Sequence, residues 1–134
     1  MSDRIEINRI YIEKVINLIN TKNSIELRVL ISDLHVADIA DIIEDISYDD
    51  AHFLFDLIEE EKSAAVLVEL EDDTREELLS YLTPKEIAEE VINKLESDDA
   101  ADVIGELTEE KKEKVLSHVE DIEHAIDISD LLTY

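Results

Sequence analysis

Cysteine and tryptophan are absent, and glycine and proline occur once each, as Gly105 and Pro84. Without cysteine there is no disulfide framework, no thiolate zinc site and no thiol nucleophile. Hairpin turns lean on glycine, asparagine and proline, so a chain this poor in glycine and proline reads as helical throughout. Bases are scarce too: 12 Lys and Arg stand against 37 Asp and Glu, a formal charge of −25. Such a charge repels a nucleic-acid backbone and an anionic membrane surface, which excludes nucleic acid and direct membrane contact. No apolar run approaches the roughly 20 residues that span a bilayer, and the N-terminus lacks a secretory pattern. A soluble, intracellular chain is expected. What is present is a hydrophobic content of 45%, rich in Ile, Leu and Val, which argues for folding over disorder. The 134 residues are enough for one domain with a core of its own.

The apolar spacing divides the chain into short helices. Ile5, Ile12, Val15, Ile16 and Ile19 predict a first helix over residues 3–20, and a second covers 24–33. Val36, Ile39, Ala40, Ile43 and Ile46 form the next stripe, and similar stripes follow around 53–58, 64–70, 78–82, 87–95, 100–107 and 115–119, the last leading to Leu132. The chain also echoes itself. Asp-Asp pairs stand at Asp49, Asp72 and Asp98, 23 and 26 residues apart. Asp38-Ile39-Ala40-Asp41 matches Glu86-Ile87-Ala88-Glu89 after 48 residues, and Ile46-Ser47-Tyr48-Asp49-Asp50-Ala51 matches Leu95-Glu96-Ser97-Asp98-Asp99-Ala100 after 49. A repeat of about 24 residues is one helical hairpin, and stacked hairpins make an α-solenoid. The expected fold is all-α: a single right- or left-winding superhelical domain over residues 1–134, of about ten short helices. Helix 3–20 caps it, and hairpin repeats run from 24 to 132.

Many acids have a structural reading. Ser47, Ser97, Thr83 and Thr108 are expected N-caps, with Pro84 at a first helical position and acids in the first turns against the helix dipole. Capping does not explain the missing bases, however. No Lys or Arg falls between Val29 and Glu61, where Asp33, Asp38, Asp41, Glu44, Asp45, Asp49, Asp50, Asp56 and three consecutive glutamates lie. Uncompensated carboxylates call for counterions or a cationic partner. In the helix predicted over 97–107, Asp98, Asp102 and Glu106 form an i, i+4, i+8 column with Asp99 beside it. Ala100, Val103, Ile104 and Leu107 face the core. Like charges at this spacing repel by a few tenths of a kcal/mol, and a hard divalent cation such as Mg2+, which takes oxygen ligands and keeps several waters, would reverse that sign.

Other chemistry finds no support. His35, His52, His118 and His124 contain no i, i+3 or i, i+4 pair, so a zinc motif on one helix is not expected and they read as boundary or surface residues. There is no glycine-rich phosphate loop, no nucleophile elbow and no EF-hand loop, and an enzyme is not expected. Lys111, Lys112 and Lys114 form the one basic cluster, beside Glu109, Glu110 and Glu113, and read as a salt-bridged face.

Leu34-His35-Val36-Ala37-Asp38-Ile39-Ala40-Asp41-Ile42-Ile43 resembles the opening of the cytosolic N-terminal domain of MgtE-type magnesium transporters. Phe53 to Leu57, Ser63-Ala64-Ala65-Val66-Leu67, Arg75-Glu76-Glu77-Leu78-Leu79 and Ser97-Asp98-Asp99-Ala100-Ala101-Asp102 continue the resemblance in order, from about residue 25 to the end. The resemblance implies a helical superhelix that regulates transport. It implies paired cystathionine-β-synthase-type domains and a dimeric membrane pore elsewhere in a full-length homodimeric transporter, with this domain on the cytosolic side of the membrane. The chain would be such a domain excised, or a free-standing homologue. Mg2+ held between acidic surfaces of these domains would keep the pore closed, and its loss would let the surfaces part. The family's aspartate ligands map onto Asp98 and Asp102. Ala65 stands where some members carry a glutamate ligand, and Val36 replaces a usual proline. The alternative reading is an acidic α-solenoid interaction module, related to the flagellar motor switch protein G family, with which it shares helix phrasing.

Overall fold

A computed structural model describes residues 8–133, the side chain of Glu60 excepted. Among the described residues there are ten α-helices and no strand: α1 (Arg9–Asn20), α2 (Ser24–Ser32), α3 (Val36–Glu44), α4 (Tyr48–Asp56), α5 (Glu60–Glu69), α6 (Asp72–Leu79), α7 (Pro84–Glu86), α8 (Ser97–Gly105), α9 (Glu109–Ser117) and α10 (Ile122–Thr133). The expected helix start at Asp3, with Ile5, lies outside the described residues. Helices this short are marginal alone in water and exist because they pack. They gather into two compact units, one ending at Leu78 and the other beginning at Leu79. In the first, α3 packs on α5, and α1 on α2 and α4, around Val15, Leu27, Ile39, Ile42, Leu54 and Leu67. In the second, α8 packs on α10 and α7 on α9, around Ile87, Ile92, Ile104, Val115 and Ile128. Each fully buried side chain of this kind contributes about 1.5–3 kcal/mol. None of the described helices is long and apolar enough to cross a membrane.

Side chains close the helix ends. Asn8, Asn23, Ser47, Thr83 and Thr108 each accept a backbone N–H at the start of α1, α2, α4, α7 and α9, as capping chemistry requires. Asp38, fully buried, accepts the His35 N–H at the start of α3 (3.3 Å). Glu44, at the end of α3, reaches the start of α6, taking the Glu71 N–H (2.6 Å) and the Thr74 hydroxyl. The C-terminal end of α5 is served by a cation. The buried Arg75 guanidinium donates to the carbonyls of Leu67 (2.7 Å), Val68 (3.1 Å) and Leu70 (2.7 Å) and meets Asp72 at 3.2 Å. That places a positive charge at a helix C-terminus, where the dipole favours it. At the end of α1, Lys22 takes the left-handed conformation (φ 54°). Asn23 N–H bonds Leu18 O and Lys22 N–H bonds Ile19 O, a Schellman closure without glycine.

The echoes in the sequence are equivalent helix starts. His35 and Thr83, 48 residues apart, each begin a helix with a capping box closed by Asp38 and Glu86. Ser47 and Glu96, 49 apart, are the N-caps of α4 and α8, and Glu59 and Thr108 those of α5 and α9. The spacing grows by one residue inside the second copy, and there the helix widens. Residues Ile87–Val91 form a π-helical turn and Ile92–Lys94 a 3-10 turn. Buried Ile39 and Ala40 correspond to Ile87 and Ala88, while buried Ile42 and Ile43 correspond to Val91 and Ile92. The wide turn absorbs the extra residue and keeps all four apolar side chains in the core. The plain helix expected over 87–95 is corrected accordingly.

Among the described residues, one buried side-chain polar atom has no partner: the Tyr11 hydroxyl. Burial, then the charges of Asp33 and Asp38, push its phenol above the ordinary value of 10.0. Truncating Arg75 and Tyr11 is therefore expected to act with opposite sign. Arg75→Ala leaves buried carbonyls unsatisfied and lowers unfolding free energy in urea by about 2–3 kcal/mol. A loss under about 0.5 kcal/mol would mean water replaces the guanidinium freely. Tyr11→Phe removes an unpaired buried hydroxyl and raises stability by about 1 kcal/mol. It should also flatten the alkaline decline, since the folded state keeps its phenol proton where the unfolded chain loses it, and stability falls as pH climbs above 10.0. A Tyr11→Phe protein less stable than wild type would show that the hydroxyl is satisfied in solution.

Candidate functional site

α8 begins at Ser97 with Glu96 as its N-cap residue, which makes no side-chain capping bond. This corrects the expected Ser97 cap. Ser97 is instead the first helical residue, and its hydroxyl meets His124 Nδ1 at 3.2 Å. His124 Nε2 lies 3.1 Å from Ile92 O, a carbonyl that only accepts, so Nε2 donates, and in the neutral ring Nδ1 is then the acceptor facing Ser97. Half-buried His124 thus ties the start of α8 and the 3-10 turn to α10. Its half-burial agrees with the boundary position expected from the sequence, but its partners stand 27 and 32 positions away, beyond any local pattern. The repeat register held the one clue to the cap, because it aligns Ser47 with Glu96 rather than with Ser97.

Ala100, Ala101, Val103 and Ile104 are buried, so α8 turns the opposite face outward. Asp98 and Asp102 are both exposed on that face, and Asp99 is half-buried. Glu106 follows the last residue of α8 as its C-cap and is exposed. One turn apart on a helix, Asp98 and Asp102 have Cβ atoms about 5–6 Å from each other. Among the described residues no group of three or more His, Asp or Glu is placed to hold a metal ion. The pair supplies two hard oxygen donors on one side, with room for waters or a second surface to complete a coordination sphere. That fits Mg2+, which is often held by one or two carboxylates. The equivalent positions of the first copy are Asp49 and half-buried Phe53, so at these two positions the second copy presents a carboxylate pair and the first does not.

The base-free stretch is less available than its composition suggests. Asp38 and Glu44 serve helix ends, Asp49 and Asp50 lie in the first turn of α4, and Asp56 meets His52 at 3.5 Å. Ala65 is half-buried on α5. The basic cluster is salt-bridged as expected, Lys112 to Glu109 (3.0 Å) and Lys114 to Glu110 (3.1 Å).

The sequence matches the family model of the MgtE intracellular N domain over residues 34–134. The crystal structure of the soluble part of a magnesium transporter is similar, with a TM-score of 0.75 and 22% identity, over 92% of this chain and 48% of that one. The chain thus spans about half the length of that structure. The likeness is one of fold, and the all-α, solenoid-like class expected from the sequence holds. No curated protein matches significantly.

Asp98 and Asp102 should separate in their effects on stability. Asp98 lies in the first turn, and Asp98→Asn is expected to cost about 0.3–1 kcal/mol at low salt, toward the low end for an exposed group. Asp102 lies a turn further on, toward the negative pole and within reach of Asp98. Asp102→Asn should leave stability unchanged or slightly raised in magnesium-free buffer. Chemical denaturation of both variants checks this, and a destabilised Asp102→Asn would reveal a structural partner for that carboxylate.

Proposed function

The chain belongs to the MgtE intracellular N-domain family, and from that membership we propose that it is the cytosolic regulatory domain of a magnesium transporter. In this reading Asp98 and Asp102 hold Mg2+ at an interface with paired cystathionine-β-synthase-type domains of the same full-length, homodimeric protein. The domain lies on the cytosolic side of the membrane, regulates rather than transports, and performs no catalysis. The observation that carries the reading is the exposed carboxylate pair on α8, which the first copy of the repeat lacks at the equivalent Asp49 and Phe53.

The physical argument runs through repulsion. Asp98 and Asp102 disfavour each other by a few tenths of a kcal/mol, and each disfavours any acidic surface brought against α8. The overall charge of −25 extends that repulsion to about a Debye length, roughly 8 Å at physiological ionic strength. Bound Mg2+ supplies the charge that neutralises the pair and lets a second acidic surface approach. With the ion lost, the carboxylates repel and the domain parts from its neighbour. α8 suits the task because its buried face and the His124 bonds to Ser97 and Ile92 fix the helix that carries both ligands. The half-buried Ala65 contributes no ligand, so this surface rests on the α8 pair.

Small-angle scattering on the full-length protein across a magnesium titration tests the proposal. Wild type is expected to compact as magnesium rises, and Asp102→Asn to need several-fold more, because a neutral amide replaces an anionic ligand of a hard cation. An unchanged midpoint in Asp102→Asn would make the pair part of a solvated face and remove the ion site.

A further inference from the structure

The repeat register exposes a second anomaly, away from α8. α2, α6 and α10 occupy equivalent places, related by 48 and 49 residues, and Ile31, Leu79 and Ile128 mark the register by being buried in all three. One turn-spaced pair on the outer face differs among them. In α6 it is Asp73 and Glu77, both exposed, as a solvated helix face would have it. In α10 it is Ile122 and Ile126, 73% and 53% exposed, and in α2 it is Ile25 and Val29, 81% and 63% exposed. A helix with water on that side gains nothing from two β-branched apolar residues in place of two acids.

The two apolar pairs have different surroundings. Beside the α10 pair, along one edge of the stripe, stand the exposed acids Glu123, Asp127 and Asp130. Beside the α2 pair opens a cleft of about 560 Å3 within the first unit, lined by Val29 and floored by Ile31, Ile39 and Ile58. Arg28 and Lys62, the two bases that bracket the base-free stretch, both line it. Asp56 and Glu59 line it too, so this cleft is near neutral on a chain of net charge −25. It is an apolar surface beside which an acid-flanked helix finds cations.

We propose that this cleft binds α10 of a second copy of the chain. Ile122 and Ile126 seat against Val29 and the isoleucine floor, while Glu123 and Asp127 meet Arg28 and Lys62. An α10–α10 contact would bring three acids of each copy together, and an α2–α2 contact would face Arg28 with Arg28. Of the three pairings, the head-to-tail one sets apolar against apolar and brings the acids of α10 to a near-neutral cleft that carries Arg28 and Lys62 beside Asp56 and Glu59. Such a contact is heterologous, so association continues with concentration instead of stopping at a two-fold dimer.

Sedimentation velocity on this chain from about 10 μM to about 1 mM, the range of weak contacts, tests the pairing. The average mass of wild type should rise with concentration. Ile126→Lys should stay monomeric, and because it lowers the net negative charge, that loss cannot come from general repulsion. Lys62→Glu should also stay monomeric, and Lys62→Glu with Asp127→Lys, which restores the net charge, should recover association. All three positions are exposed or half-buried, and circular dichroism confirms that the variants fold. Wild type monomeric at the highest concentration, or association that survives Ile126→Lys, overturns the proposal. Association lost in Ile126→Lys but unchanged in Lys62→Glu overturns the cleft as its seat and places α10 on another surface.

Discussion

Every helix end leaves about four backbone groups without intrahelical partners, and the described residues, cut into ten short helices, have many such ends for their length. The constraint is sharpened by having one glycine, which sits inside the last turn of α8 rather than at a left-handed closing position. Side chains must therefore do the closing. Asparagine, serine, threonine and aspartate serve the N-termini, Lys22 accepts a left-handed conformation, and Arg75 gathers the last carbonyls of α5. Much of the acidity follows from this. Carboxylates stand where helix starts offer positive ends, and Glu44 fixes the turn between α5 and α6 from a helix distant in sequence.

Once the capping acids are set apart, the remaining charge is more telling. Asp98 and Asp102 are ordinary as residues and informative by comparison, because the same helix in the first copy carries an aspartate and a phenylalanine. The repeat acts as an internal control. Positions alike in both copies, such as the capping boxes at His35 and Thr83 or the buried Ile39 and Ile87, belong to the fold. Positions that differ have been released from that duty. By this criterion the α8 carboxylates and the apolar pairs on α2 and α10 stand out together.

The second copy also shows how a helical repeat tolerates an insertion. One added residue rotates every later side chain by about 100° in a regular helix, which would turn Val91 and Ile92 away from the core. Widening one turn to a π-helix cancels most of that rotation. The distortion stays within Ile87–Lys94, and α8 resumes with its register intact.

The sequence by itself determined the helical class, the repeat and most helix starts, because apolar periodicity and capping chemistry act over three or four residues and are read locally. It pointed to Asp98 and Asp102 as neighbours for the same reason, since i, i+4 spacing places two residues on one face wherever a helix forms. Tertiary structure decided what depends on distant partners. Arg75 is a buried C-terminal cap because α6 folds back on the end of α5. His124 is a clamp because α10 packs on α8, bringing Ser97 and Ile92 to its two nitrogens. Glu44, one acid among many in a base-free stretch, became the tie to α6 only when α3 came to lie beside it. Long-range contacts of this kind leave no periodic trace, because the partners are chosen by packing geometry and not by spacing along the chain.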